Sequence, residues 1–245
     1  MTTTESPFHV WFHHFDDKRK HADGLPWDDP YQLTAEERAL VQRSIQQFQL
    51  GEYARGRGFR RRAAEHPVLG SDPTFLSALD VFISEEQTHS SLLGRFLDNQ
   101  EIPRLERDRI DGIFRKLRKL AGLDVCVTVL VTAEVLAMPF YSALKDATKS
   151  PLLQSICKRI LRDEAGHLKY QALTLGTIRR PVTSIGRAIR ARCHATLFYA
   201  TAIVLWLQHR SVFQAAGWNF RSFWRTSGHW FYTLQTRINQ HSAGI

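Results

Sequence analysis

Glu134 stands inside the most apolar stretch of the chain, Val125–Ala147, with Leu130, Val131, Val135 and Met138 around it at helical spacing. An ionised carboxylate on such a face is costly to bury unless something compensates its charge. The fold must therefore bring compensating groups to this one point. Three other segments have the means. Glu52 follows Ile45, Phe48 and Gln49 at spacings of seven, four and three, again on an apolar helical face. Glu86-Gln-Thr-His89 and Glu164-Ala-Gly-His167 each set a carboxylate and an imidazole one turn apart on the same side of a helix.

The boundary signals place these residues on four helices. Thr34 and Glu37 form a capping box that opens a helix over Ala35–Ala64, closed by Pro67 and Gly70. Ser71-Asp72-Pro73 starts a second helix, Pro73–Asn99. The charged segment Glu101–Leu123 predicts a short helix around Arg107–Leu120. Val125–Ala147 is the third long helix, and Pro151 opens a fourth that reaches Arg179 before Pro181. A bundle helix of about 30 Å takes roughly 20 residues to traverse, so the long second-to-third connection can carry the chain back along a bundle. No strand-period segment competes with this pattern.

The expected fold is all-α: a ferritin-like four-helix bundle with one long crossover and additional C-terminal helices. The division is residues 1–33 as an extended N-terminal arm, 34–180 as the bundle, and 181–245 as a basic, aromatic-rich helical extension. Helices over Val182–Ala216 and Asn219–Asn239 are expected in the extension.

Together the four bundle helices offer four carboxylates and two imidazoles. Two divalent ions carry the charge that four carboxylates cancel, and neutral imidazoles complete the coordination. Oxygen-rich, nitrogen-poor ligation suits iron or manganese better than zinc or copper. The candidate metal ligands are therefore Glu52, Glu86, His89, Glu134, Glu164 and His167. One division puts Glu52 and Glu164 with His167, and Glu86 and Glu134 with His89, leaving the bridging carboxylates open. Glu85 and Asp163 precede the two motif glutamates and can accept the outer N–H of a ligand histidine on the facing helix. Tyr141 and Tyr170 are candidate catalytic groups beside the metals.

One Glu from each of two helices and Glu-x-x-His from each of two others resembles the ferritin-like di-iron carboxylate superfamily. That superfamily includes rubrerythrins, ferritins, the small subunit of ribonucleotide reductase and di-iron oxygenases. The resemblance covers Thr34–Arg179. It implies a pair of iron ions, with manganese in one position as an alternative, that reduces O2 and oxidises an organic substrate. Such a chain is an oxygenase or oxidase served by a separate ferredoxin or reductase. Ferritins carry a single Glu-x-x-His, and this chain lacks the Cys-x-x-Cys domain usual in rubrerythrins. Ile160 stands where arylamine oxygenases of the superfamily have an extra histidine. The alternatives are a metal-binding interaction protein with a basic membrane- or RNA-binding tail, and a rubrerythrin-like peroxidase.

The net charge of +9 is concentrated behind Glu164, where Lys169 and nine arginines meet no acidic residue. A one-signed segment of this length suggests an anionic neighbour, such as a membrane surface, an acidic carrier protein or RNA. The substrate reading therefore includes lipid-like or carrier-bound molecules, and a homodimer is an open alternative. Cys126, Cys157 and Cys193 each lie in helix-like apolar stretches and read as buried thiols. With no charged-then-apolar leader, a cytoplasmic location is expected, with peripheral membrane contact as an alternative. His9, His13, His14 and His21 read as solvated residues of the arm.

Overall fold

The protein is described here from a computed structural model, which covers residues 6–20, 24–53, 56–108 and 122–244 together with Gly112 and Lys116. Among these residues there are helices and no strand. Most of the short helix expected around Arg107–Leu120 lies outside the described residues.

Three of the four helices that carry candidate ligands begin where their caps dictate. In α2 (Ala35–Glu52), the Glu37 amide donates to Thr34 Oγ1 and the Thr34 amide to Glu37 Oε2. In α4 (Pro73–Asn99), Asp72 Oδ1 accepts from the amides of Thr74 and Phe75. Helices α5 (Leu123–Ala147) and α6 (Pro151–Arg179) are joined by only Thr148–Ser150, so they run as an antiparallel hairpin. Ser150 Oγ caps α6 through the Leu153 amide. Helix α2 packs along α4, α5 along α6, and α4 also meets α6.

Two expectations need correction. The helix expected over Ala35–Ala64 is two helices, α2 and α3 (Arg57–Ala64). Gly56 has φ 63°, a left-handed conformation that breaks the run, and a Cβ there would overlap the Ile83 side chain. Glu52 is thereby the last residue of α2. The arm is also not extended: α1 (His9–Lys20) docks on α4. Phe8, Trp11, Phe12 and Phe15 stand at i, i+3, i+4 and i+7, and Phe8 and Phe15 are buried. Coiling also brings His9 Nε2 within 3.0 Å of His13 Nε2.

The C-terminal helices lie against the hairpin. Helix α7 (Ser184–Ala215) runs beside α5, and α8 (Phe220–Ala243) beside α6. Gly176 allows the second contact, because a Cβ there would overlap the Cβ of His241. Phe198 stacks on Phe231 at 4.2 Å and Phe213 packs on Phe223 at 4.7 Å, so much of the aromatic content joins the core. Buried Arg179 fastens α6 to α5, with Nη2 2.8 Å from both Asp124 Oδ1 and Thr128 Oγ1, and Arg190 of α7 also contacts Asp124. Cys126 and Cys157 are buried, whereas Cys193 is exposed on α7. By length and composition α5 could cross a membrane, but 72% of its most apolar window is buried inside the protein, as in a core helix.

Candidate metal centre

Near the middle of α4 and α6, Glu86, His89, Glu164 and His167 come together, one ligand atom from each lying within 4.8 Å of the others. The side chains of His89, His167 and Glu164 are almost wholly buried. Their inner atoms face one another. His167 Nδ1 is 2.8 Å from Glu86 Oε1 and 3.5 Å from Glu164 Oε2, and His89 Nδ1 is 3.4 Å from Glu164 Oε1.

The outer nitrogens are held reciprocally across the two helices. His89 Nε2 lies 3.3 Å from Asp163 Oδ2 on α6, and His167 Nε2 lies 2.9 Å from Glu85 Oε2 on α4. A carboxylate on the outer nitrogen fixes the tautomer and turns Nδ1 inward as a donor of electrons.

Glu52 and Glu134 flank this group from the other two helices. Tyr141 Oη donates to Glu52 Oε1 at 2.8 Å, and Gln171 Nε2 donates to Glu134 Oε1 at 2.6 Å. Gln171 is a site residue that sequence reasoning missed, although it lies one turn beyond His167 on the same face of α6. The electrostatics tie both outer glutamates to the cluster. Glu52 feels the charge of His89, and Glu134 that of His167, while Glu86 and Glu164 act on both. Glu86 and Glu164 are thus the carboxylates that act on both outer glutamates.

Four carboxylates in one dry site cannot all stay ionised without cations. Burial, reinforced by Glu86 and Glu164, holds the carboxyls of Glu52 and Glu134 well above the usual range. Burial pushes against protonation of His89 as well, but Asp163 and Glu164 outweigh it and lift its pKa to about 10. His167 is raised for the same reason by Glu164, Glu85 and Glu86. Glu164 is held at about 2, its burial being overcome by the two histidines. The cluster therefore draws protons onto four groups, and two divalent cations would supply the same positive charge.

The donor set fits such ions. Glu86 Oε1, His89 Nδ1, Glu134 Oε2, Glu164 Oε2 and His167 Nδ1 are buried and make no hydrogen bond in the described structure. Buried polar atoms are rarely left so, and these five belong to one cluster. A buried His/Glu group of this kind resembles a di-iron site and can bind a metal ion.

A cavity of about 180 Å³ opens onto Glu52, Glu86, Glu134 and Glu164. Its walls are mainly apolar, from Phe48 of α2, Val129 and Ala137 of α5, and Val204 and Leu205 of α7. Tyr141 reaches the cluster through Glu52. Tyr170 does not line the cavity; its ring lies among Phe8, Phe15, Phe75 and Phe82, on the side of His167 that α1 covers. No family model, curated protein or solved structure matches the chain.

Proposed function

We propose that this chain is an O2-activating non-haem di-iron oxidoreductase that oxidises an apolar organic substrate, its site built on a ferritin-like four-helix bundle of α2, α4, α5 and α6. The observation that carries this reading is the set of five buried donor atoms that make no hydrogen bond, beside an apolar cavity. A storage or purely structural site has no need of such a cavity. Bound there, two iron ions supply the redox chemistry that reduces O2.

The chain's own residues have four tasks. Glu52 with His89, and Glu134 with His167, hold the two ends of the site, and Glu86 and Glu164 serve both. Asp163 and Glu85 keep the imidazoles in the ligating tautomer. Tyr141 and Gln171 orient the outer glutamates, and Tyr141 holds a proton against Glu52 Oε1. The apolar walls exclude water and place a substrate beside the carboxylates. A separate ferredoxin or reductase supplies electrons.

Anaerobic loading with Fe(II), metal counting and O2-uptake measurements test this directly. The expected result is two irons per chain and rapid O2 consumption, both lost in Glu134→Ala. Tight iron that ignores O2 would overturn the oxidase reading in favour of a structural metal protein. Consumption of peroxide faster than O2 would favour a peroxidase.

A further inference from the structure

The cavity that meets the metal-site glutamates has a wall made by a helix that carries no ligand. Thr201, Val204, Leu205, Gln208 and His209 of α7 face it at i, i+3, i+4, i+7 and i+8. The helix is irregular at one of these residues, His209, where φ is −116° and ψ 16°. There the imidazole packs against the rings of Phe48 and Phe140, with centroids 5.5 and 5.1 Å away.

His209 is held in one orientation. Its Nδ1 is 2.8 Å from Ser44 Oγ of α2, and both residues are buried. Neither residue makes another side-chain hydrogen bond in the described structure. The Ser44 hydroxyl has one proton to place, and were Nδ1 the donor that proton would be sealed in without an acceptor. Ser44 therefore donates to Nδ1, and the ring carries its own proton on Nε2. Burial keeps the imidazole neutral, with its pKa lowered to about 4. Nε2 is not among the sealed, unpartnered atoms, and the residue lines the cavity, so Nε2–H is available to a molecule inside it.

Of the other neutral and aspartate groups of the wall, Gln208 is exposed, and Gln47, Thr201 and Asp108 are already committed. Gln47 Nε2 donates to Asp108 Oδ2 at 2.9 Å, Arg43 pairs with the same oxygen at 3.0 Å, and Thr201 Oγ1 donates to Leu197 O at 2.8 Å. No Lys or Arg lines the cavity among the described residues, and a neutral imidazole supplies no cation to hold an anion.

We propose that His209, oriented by Ser44, is the specificity-determining residue of this site, and that it selects an uncharged apolar molecule bearing a hydrogen-bond acceptor such as a carbonyl oxygen. The inference rests on the reading of the cavity as a substrate site. An apolar cavity of about 150 Å³ takes benzene, so one of about 180 Å³ accommodates a single substituted aromatic ring.

The test is binding to the metal-free full-length protein, measured by equilibrium dialysis with acetophenone and its near-isostere α-methylstyrene, in which CH2 replaces the carbonyl oxygen. The ratio of the two affinities should fall about 10-fold in His209→Phe, the worth of one neutral hydrogen bond. It should be largely restored in His209→Gln, which keeps a donor, and weakened in Ser44→Ala. Retained α-methylstyrene binding in each variant shows that the fold survives. An unchanged ratio in His209→Phe, or no binding of either probe to the wild type, would overturn the inference. Iron counting is independent of this assay. Loss of the ratio shift with iron still bound refutes the recognition role alone, and a ratio shift without iron binding refutes the di-iron reading alone.

Discussion

Removing the Phe15 ring should loosen the protein around His167 from a distance in sequence of more than 150 residues. Phe15 is fully buried, and its ring lies 5.4 Å from Tyr170, 5.7 Å from His167 and 6.3 Å from Phe82. A Phe→Ala change at a closed site costs about 3–5 kcal/mol, transfer and cavity terms together. Aromatic pairs add about 0.5–1.5 kcal/mol each beyond area burial, so the upper part of that range applies. At about 2–4 °C per kcal/mol for a domain of this size, the midpoint should drop by roughly 10 °C. The loss is capped at the free energy that docks α1 on α4. If the cap is reached, α1 leaves α4, and residues 24–34 become sensitive to protease while the remainder unfolds as before. Phe15→Ala should therefore show either the lowered midpoint or the local cleavage. Thermal unfolding and limited proteolysis, with Val10→Ala at an exposed position of the same helix as control, measure both. Wild-type behaviour in both assays would refute the docking of α1 over the histidine.

Glu85→Gln and Asp163→Asn should each lower metal affinity about 10- to 100-fold with the helical content unchanged, as read by competition against a chromophoric chelator. Stability should also fall in acid through two buried histidines away from the cluster. Burial lowers His194 to about 3 and His209 to about 4. The unfolded chain binds these protons near pH 6.5, so the contribution is complete above that value and is lost as pH falls toward the folded-state values. Each pH unit in that window costs about 1.4 kcal/mol per histidine, or about 4 kcal/mol for the two at pH 5. Denaturant unfolding of the His194→Gln/His209→Gln variant should lack that part of the slope, and an unchanged slope would show that neither histidine is neutral in the fold.

The helix starts at Thr34, Asp72 and Pro151 were legible because each cap uses residues adjacent in sequence. The two Glu-x-x-His motifs were legible because one turn of helix sets their geometry. The break between α2 and α3 was harder to see, since basic residues around Gly56 suit a helix surface and only the contact with Ile83 shows why the chain turns there. Helix α1 left a signal in Phe8, Trp11, Phe12 and Phe15, a stripe obscured by the histidines and Pro7 around it. How the outer glutamates meet the cluster depends on how α2 and α5 sit against α4 and α6, which no local pattern encodes. Likewise, nothing near His209 announces a cavity, because the residues it faces are contributed by helices far away in the chain.

Of the six ligand candidates, five stand inside helices and one, Glu52, at a helix end followed by an irregular residue and, beyond it, a left-handed glycine. Holding ions, such a site would be a clamp with five arms rooted inside helices and one rooted at a helix end. That last arm also lines the cavity, so whatever enters there meets it. Ions of different radius would be accommodated at the Glu52 end first, while the Glu134 end keeps its dimensions.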